Sequence, residues 1–334
     1  MPAVSDDTVK NFLIESGLAR PGEAAEWTPL GGGVSSEIWR VDLGLRRFCI
    51  KRALAKLRVE ADWRAPVSRN ATEWAWFETV GAICPGVVPK LLAHDPAHGL
   101  FAMEFLPPER YPLWKERLLA GDVEVAFAGR VGTALGRIHA ATAGDAGIAA
   151  RFRTDEAFHA LRIEPYLLAT AAKHRDLRGT IEAIAERMAS LHLALVHGDV
   201  SPKNILMGPQ GPVFLDAETA WYGDPAFDLA FCLNHLMLKA LVQPNAAAGL
   251  EASFAALRDA YSACVDWEPP TELQARAALL LPALMLARVD GKSPVEYLDA
   301  AGQKRVRDFA SGQMWQEQCS LTTIYTGWRS GLGL

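Results

Sequence analysis

One stretch, LVHGDVSPKNILMGPQGPVFLDAETAWYG, interrupts the helical periodicity of the second half of the chain between Val196 and Gly223. It constrains the fold more than any other segment. Its apolar runs Ile205 to Met207 and Val213 to Leu215 flank Gly-Pro-Gln-Gly-Pro, the pattern of two strands joined by a tight turn. Asp199 precedes this hairpin and Asp216 ends it, so the hairpin brings two carboxylates to one edge.

The rest of the chain falls into two parts. A short helix opens it over residues 5 to 17, with Ser5 and two aspartates as cap and N-terminal charge. From Trp27 the pattern changes to strand, glycine cluster, strand, turn at Asp42 to Gly44, and strand. A helix follows over Ala71 to Ile83, then two more strands, then a break at Pro107 and Pro108. We place a boundary there, with residues 1–106 as a small sheet-based part and 107–334 as a larger, mainly helical one. VAFAGRVGTALGRIHAAT and GTIEAIAERMASLHLAL both read as helix, and Ala277 to Val289, interrupted by Pro282, reads as a buried core helix too short for a bilayer. The class is α+β.

Composition excludes several functions. A net charge of −5 with both signs dispersed gives no basic stripe for nucleic acid. The five cysteines are scattered, without CxxC or zinc spacing, and read as reduced core thiols. The N-terminus lacks the basic start and apolar run of a secretory signal, so a cytoplasmic protein that engages no membrane is expected. Oligomeric state has no signature here.

Asp199, Asn204 and Asp216 have the order and nearly the spacing of the protein-kinase catalytic loop and its metal-binding aspartate. Phosphoryl transfer needs such groups. A carboxylate, Asp199, accepts the proton of an attacking hydroxyl. Hard oxygen donors, Asn204 and Asp216, suit Mg²⁺ beside the phosphates of ATP. Glu218, two residues beyond Asp216, shares its side if the segment is extended, which makes it a further metal candidate. The strand FCIKRA matches the lysine-bearing strand of kinases and assigns Lys51 to the phosphates, with Glu73, then Glu78, as its carboxylate partner. Gly31 to Gly33, and Gly32 at their centre, occupy the place of a phosphate-covering turn, where Ser35 and Ser36 supply hydroxyls. His197 reads as a structural histidine orienting the loop. Asp228, at a helix start, reads as a carboxylate for N-terminal amides that also holds the loop.

HGDVSPKN, followed by LDAE and GDPAFDLA, resembles the aminoglycoside phosphotransferase and choline kinase superfamily over roughly residues 28 to 310. The resemblance implies a bilobal protein-kinase-like fold with a small N-terminal antiparallel sheet lobe and a larger helical C-terminal lobe. It also implies a hinge near Glu104 to Leu106 that binds adenine through backbone groups, with Asp199 as base, Asn204 and Asp216 on Mg²⁺, and Lys51 on ATP.

Within the superfamily, KRALAKLRV, CPGVVPKLLAHDP, MEFL, DAETAWYG and ARVDGKSPVEYL are similar to methylthioribose kinases. The chain departs from them in keeping Asn204 and in having Ala287 before Arg288 where those kinases have an arginine pair. Arg288 is a substrate candidate or a charge complementing a helix end. Trp221, with Tyr222, Trp63 and Trp114, is a candidate to line an acceptor site. Asp216 is followed almost at once by a helix, without the long segment that docks a peptide in protein kinases, so a small-molecule hydroxyl is the expected acceptor. A methylthioribose-like sugar leads; aminoglycosides and choline or other amino alcohols are the alternative, and a catalytically silent nucleotide-binding protein is the alternative of another class.

Overall fold

The computed structural model describes residues 7–31, 36–54, 68–316 and 320–332. Two compact units emerge, Met1–Pro107 and Pro108–Leu334.

In the first unit, α1 (Asp7–Glu15) leads into β1 (Glu26–Leu30), β2 (Ser36–Leu43) and β3 (Arg46–Ala53), then α2 (Arg69–Ile83), β4 (Leu91–Asp95) and β5 (Leu100–Glu104). The strands form an antiparallel sheet in the order β1-β2-β3-β5-β4. Alternation along the strands separates its two faces. Trp39, Val41, Leu43, Phe48, Ile50, Leu100 and Ala102 pack against Val9, Phe12 and Leu13 of α1. Phe101, one residue out of phase, turns to the other face, where its ring meets Phe77 of α2 edge-on at 6.2 Å. Lys51 lies opposite Phe101 in the β3–β5 register and shares that face. Period-two alternation thus aims one lysine of β3 at α2. Ser5, Gly32, Gly33, Ser35 and Trp63 lie outside the described residues.

The second unit starts with α3 (Trp114–Leu119), α4 (Val125–Thr142), α5 (Ala146–Arg151) and α6 (Asp155–Phe158). A π-helical segment, His159–Leu168, then runs into α7 (Ala169–Lys173) and α8 (Arg178–Ser190). Pro165 lies inside the π segment and has no N–H to give an α-helical ladder, while the amide of Ala169 reaches back to Glu164. The short strands β6 (Ala194–Val196), β7 (Ile205–Gly208), β8 (Gly211–Phe214) and β9 (Trp221–Gly223) precede α9 (Ala226–Val242), α10 (Ala247–Ser262), α11 (Pro270–Asp290), α12 (Ala300–Met314) and α13 (Leu321–Leu332).

β7 and β8 pair as the expected hairpin, and β6 pairs with β9. That second pairing corrects the sequence reading at one point. GTIEAIAERMASLHLAL stops being helical at Ser190, because Ala194 to Val196 find a strand partner in Trp221 to Gly223, distant in sequence. Helix α11 also continues through Pro282, which the apolar pattern marked as an interruption. Packing of its buried residues outweighs the lost hydrogen bond and the ring clash, a cost of about 3 kcal/mol.

Helix α9 forms the centre of this unit, with every residue from Ala226 to Ala240 buried. The approach of α4 to α10 depends on Gly132, where a Cβ would stand 2.2 Å from the Leu257 carbonyl oxygen. Among the described residues no helix is long and apolar enough to cross a membrane. Cys49, Cys84, Cys232 and Cys264 are free thiols, the first and third fully buried.

Candidate active site

The loop after β6 is held from below by one carboxylate. Asp228, in the first turn of α9 and inaccessible to solvent, accepts from the amide of His197 at 2.7 Å and from that of Gly198 at 2.9 Å. It therefore satisfies loop amides rather than those of its own helix. His139 Nε2 lies 3.3 Å from the same carboxylate and carries Tyr261 on its other ring nitrogen. Gly198 adopts φ +79°, and a Cβ there would come within 2.6 Å of the Thr219 carbonyl oxygen, so only glycine fits the turn.

His197 orders the next residue. Its Nδ1 accepts from the amide of Asp199 at 3.1 Å, which puts the ring proton on Nε2, 3.1 Å from the Leu215 carbonyl. Burial keeps its pKa below the usual histidine value, so the ring is neutral and bridges the loop to the end of the hairpin.

Asp199 is 4% exposed. One oxygen, Oδ2, lies 3.0 Å from Arg162 Nη2 and 3.1 Å from Lys203 Nζ. The other, Oδ1, is buried without a hydrogen-bond partner among the described residues. Burial alone would raise its pKa, but Lys203 and Arg162 hold it well below the usual carboxylate range. The site thus keeps an ionised carboxylate with one oxygen restrained and one acceptor unsatisfied, the arrangement that receives and orients a donor hydroxyl.

Asn204 closes the same loop. Its Nδ2 donates to the Asp199 carbonyl at 3.1 Å, and its own carbonyl accepts from the Leu215 amide at 2.8 Å. With the amide nitrogen so used, the side chain's remaining polar atom is an oxygen. Asp216 follows at φ +65°, the one non-glycine residue among those described with a left-handed backbone. Such strain is tolerated by aspartate and is concentrated at functional positions. Left-handed Asp216 and the turn at Glu218 mean that the segment is not extended, so Glu218 does not reach the side of Asp216 by strand alternation. Both nevertheless bear on Arg162, as Asp199 does. An amide oxygen and carboxylates are hard donors of the kind Mg²⁺ takes, and Mg²⁺ characteristically uses only one or two protein carboxylates beside phosphate and water. The donor set fits that ion.

In the first unit, Lys51 pairs with Glu73 of α2, its Nζ 2.9 Å from Oε1 and 2.7 Å from Oε2, with side chains 3% and 2% exposed. Glu73, not Glu78, is the partner. Ser36 opens β2 and is buried. The side chain of Glu104 accepts from the Lys90 amide at 2.8 Å, and Leu106 follows the last strand of this unit, half-buried.

Three aromatic substrate candidates belong to the core. Trp221 stacks on Phe158 at 4.3 Å and donates its indole N–H to Asp155 at 2.9 Å, leaving no ring face for an acceptor. Tyr222 and Trp114 are equally enclosed, the first bonded to the carbonyls of Thr142 and Leu193, the second packed edge-on against Phe127. Arg288 sits in the last turn of α11, 8% exposed, and donates from Nη1 to the Tyr166 hydroxyl at 3.1 Å and to Ser293.

Sequence reasoning missed Arg162 and Lys203. Lys203 had a signal, four residues beyond Asp199 within the same loop. Arg162 had none, because the π segment places it against Asp199 and the Gly198 carbonyl from 36 residues upstream.

Against known proteins, the model of the phosphotransferase enzyme family matches residues 26–273. A methylthioribose kinase of Pectobacterium atrosepticum is 22% identical over 277 residues, 75% of this chain and 69% of that protein. One from Erwinia tasmaniensis is 25% identical over 267 residues, 72% of this chain and 66% of that one. The chain spans about two thirds of the length of these relatives. Among solved structures, an amicoumacin kinase in complex with AMP-PNP and Ca²⁺ shares the fold with a TM-score of 0.58 at 14% identity, over 92% of this chain and 96% of that one. A choline/ethanolamine kinase family protein from Mesorhizobium loti gives 0.53 at 18%, over 97% and 99%.

Proposed function

The chain belongs to the phosphotransferase enzyme family and is an ATP-dependent small-molecule kinase, and we propose that Asp199 orients and deprotonates the acceptor hydroxyl while Asn204 and Asp216 hold Mg²⁺. The observation that carries this reading is the divided carboxylate of Asp199, with Oδ2 gripped by Arg162 and Lys203 and Oδ1 unsatisfied. A hydroxyl donating to Oδ1 is fixed for attack. In a loose phosphoryl-transfer transition state the proton leaves late, so a weakly basic but well-placed carboxylate suffices.

The remaining residues divide the work. Asp228, His197 and Gly198 set the loop's backbone so that Asp199 has one orientation. Arg162 and Lys203 keep the carboxylate ionised before the acceptor arrives. Lys51, positioned by Glu73, binds the α- and β-phosphates of ATP, and the backbone from Glu104 to Leu106 binds adenine. Bound Mg²⁺ would neutralise phosphate charge, with Glu218 as a further donor. The relatives' names make a sugar-like polyol, methylthioribose first, the leading acceptor.

The reading is tested by ADP release over a panel of pentoses, methylthioribose, choline, homoserine and aminoglycosides with Mg²⁺ and ATP. Asp199→Asn should abolish turnover of the identified acceptor while ATP with Mg²⁺ still raises the melting temperature. Wild-type turnover by that variant would refute the assignment of the base.

A further inference from the structure

Behind Asp199 the described residues of the second unit bury more positive charge than they pair. Arg162 and Arg288 stand over the Tyr166 ring, each 5.6 Å from its centroid, so Arg288 is within about one tyrosine ring's reach of the arginine that grips Asp199. Arg288 is nine-tenths buried, forms no ion pair with a described carboxylate, and keeps a buried Nε without a hydrogen-bond partner. Lys239, on α9, is 1% exposed, and its ammonium lies 5.1 Å from the centre of the Tyr297 ring. The Tyr297 hydroxyl is also buried without a hydrogen-bond partner among the described residues. The carboxylate that bears on Lys239 is Glu296, which is bonded to Lys115. His235, one turn before Lys239 on α9, is buried beside it, and burial first, then Lys239 and Arg288, keep its imidazole neutral.

Helix ends do not explain this charge. Lys239 and Arg288 occupy the last turns of α9 and α11, where a cation gains only modestly from the macrodipole. Burying an unpaired ion costs several kcal/mol. Burial, reinforced by Lys115 and Arg288, accordingly brings the Lys239 pKa down to about 7. The deficit is one of negative charge, and of the two unsatisfied groups beside it Arg288 Nε is a donor and the Tyr297 hydroxyl can donate as well as accept.

We infer that Arg288, Lys239 and Tyr297 form a subsite for an anionic group of the acceptor, so that the substrate is a polyol carrying a carboxylate rather than a neutral sugar or an amine. This rests on the phosphotransferase reading of Asp199 and, within the polyol class, puts an acid ahead of the neutral methylthioribose suggested by the relatives' names. A cationic alcohol would meet Lys239 and Arg288, neither of which forms an ion pair with a described carboxylate, beyond the Arg162 and Lys203 that grip Asp199. An anion placed over Arg288 and Lys239 offsets their burial and leaves the substrate hydroxyl to Asp199. Lys203, 48% exposed, keeps the neighbourhood open to solvent on one side.

The test compares matched pairs, glycerate with glycerol, ribonate with ribose and gluconate with glucose, alongside choline, by ADP release and by thermal shift with ATP and Mg²⁺ present. At least one acid should exceed its neutral counterpart about tenfold or more in kcat/KM, the difference arising mainly in KM. Lys239→Met should erase that preference while raising the melting temperature of the free protein at pH 7, because a buried charge is replaced by an isosteric apolar chain. A lysine with only a structural role would lower the melting temperature on substitution. Equal use of acid and neutral partner, preference for choline, or an unchanged acid-to-neutral ratio in Lys239→Met would overturn the subsite while leaving the kinase reading intact. Absence of any ATP-dependent shift or turnover would instead overturn both.

Discussion

Arg162 reaches Asp199 at 3.0 Å from a π-helical turn, and its Nε is bonded to the carbonyl of Gly198, one residue before that aspartate. A single guanidinium therefore fixes both the backbone and the carboxylate of the catalytic loop. The fork geometry of arginine makes this possible, since two donors in one plane grip two acceptors that a point-charge ammonium could serve only one at a time.

Arg162→Gln is expected to lower kcat with the acceptor by about a hundredfold or more, with the KM for ATP little changed, because the loss falls on the orientation of Asp199. Arg162→Lys should recover only part of that loss. Steady-state kinetics varying ATP and acceptor separately would measure both effects.

Asp228→Ala removes the acceptor of two buried amides, those of His197 and Gly198. Each orphaned amide costs about 1–3 kcal/mol, so denaturant unfolding should show a marked fall in stability and activity together. Asp228→Asn, which keeps one acceptor oxygen, should fall between the alanine variant and the wild type.

Lys51→Met leaves Glu73 buried without its cation, and a loss of about 3–5 kcal/mol is expected. The double variant Lys51→Met with Glu73→Gln should recover much of the stability and none of the activity. Paired melting and ADP-release measurements would separate the pair's contribution to the fold from its contribution to phosphate binding.

Lys239 carries a pH dependence with a definite sign. Its folded pKa, about 7, lies below the unfolded lysine value of about 10.4, so the unfolded chain binds the extra proton between those values. Stability from this group should rise as pH climbs from about 7 to about 10 and be lowest below 7, where both states are charged. The groups that act on it are Lys115, Cys232, Arg288 and Glu296, so the difference between wild type and Lys239→Met isolates it from other titrations. Unfolding curves of both proteins across that range should converge at high pH; a constant gap would contradict the shift.

The hairpin and its flanking carboxylates were legible because they are local. Ile205–Gly208 and Gly211–Phe214 meet across one turn, and Asp199, Asn204 and Asp216 follow from counting along the chain. Lys51 and Glu73 were legible for a related reason: strand alternation turns the lysine to one face, and the next helix must cover that face. The strand alternation invoked for Glu218 does not hold, since that segment gives way to a left-handed Asp216 and a turn, and what sets Glu218 near Arg162 is the fold instead. Trp221 carried chemistry that suits an acceptor site, yet it is stacked on Phe158 and bonded to Asp155, partners remote from it in the chain.

By itself, then, the order of residues determined the α+β class, the sheet-then-helix sequence of elements, and the set of acids, amide and lysine suited to phosphoryl transfer, all properties of spacing within a few turns or strands. Tertiary structure decided which oxygen of Asp199 is restrained, which carboxylate holds its loop, and where cations accumulate unpaired. Those outcomes depend on contacts between α9, α11 and the π segment, brought together by burial of their apolar faces. Burial also sets their energetic weight, because a charge that is nearly free to pair with water at the surface must find a partner or a ligand once that water is gone.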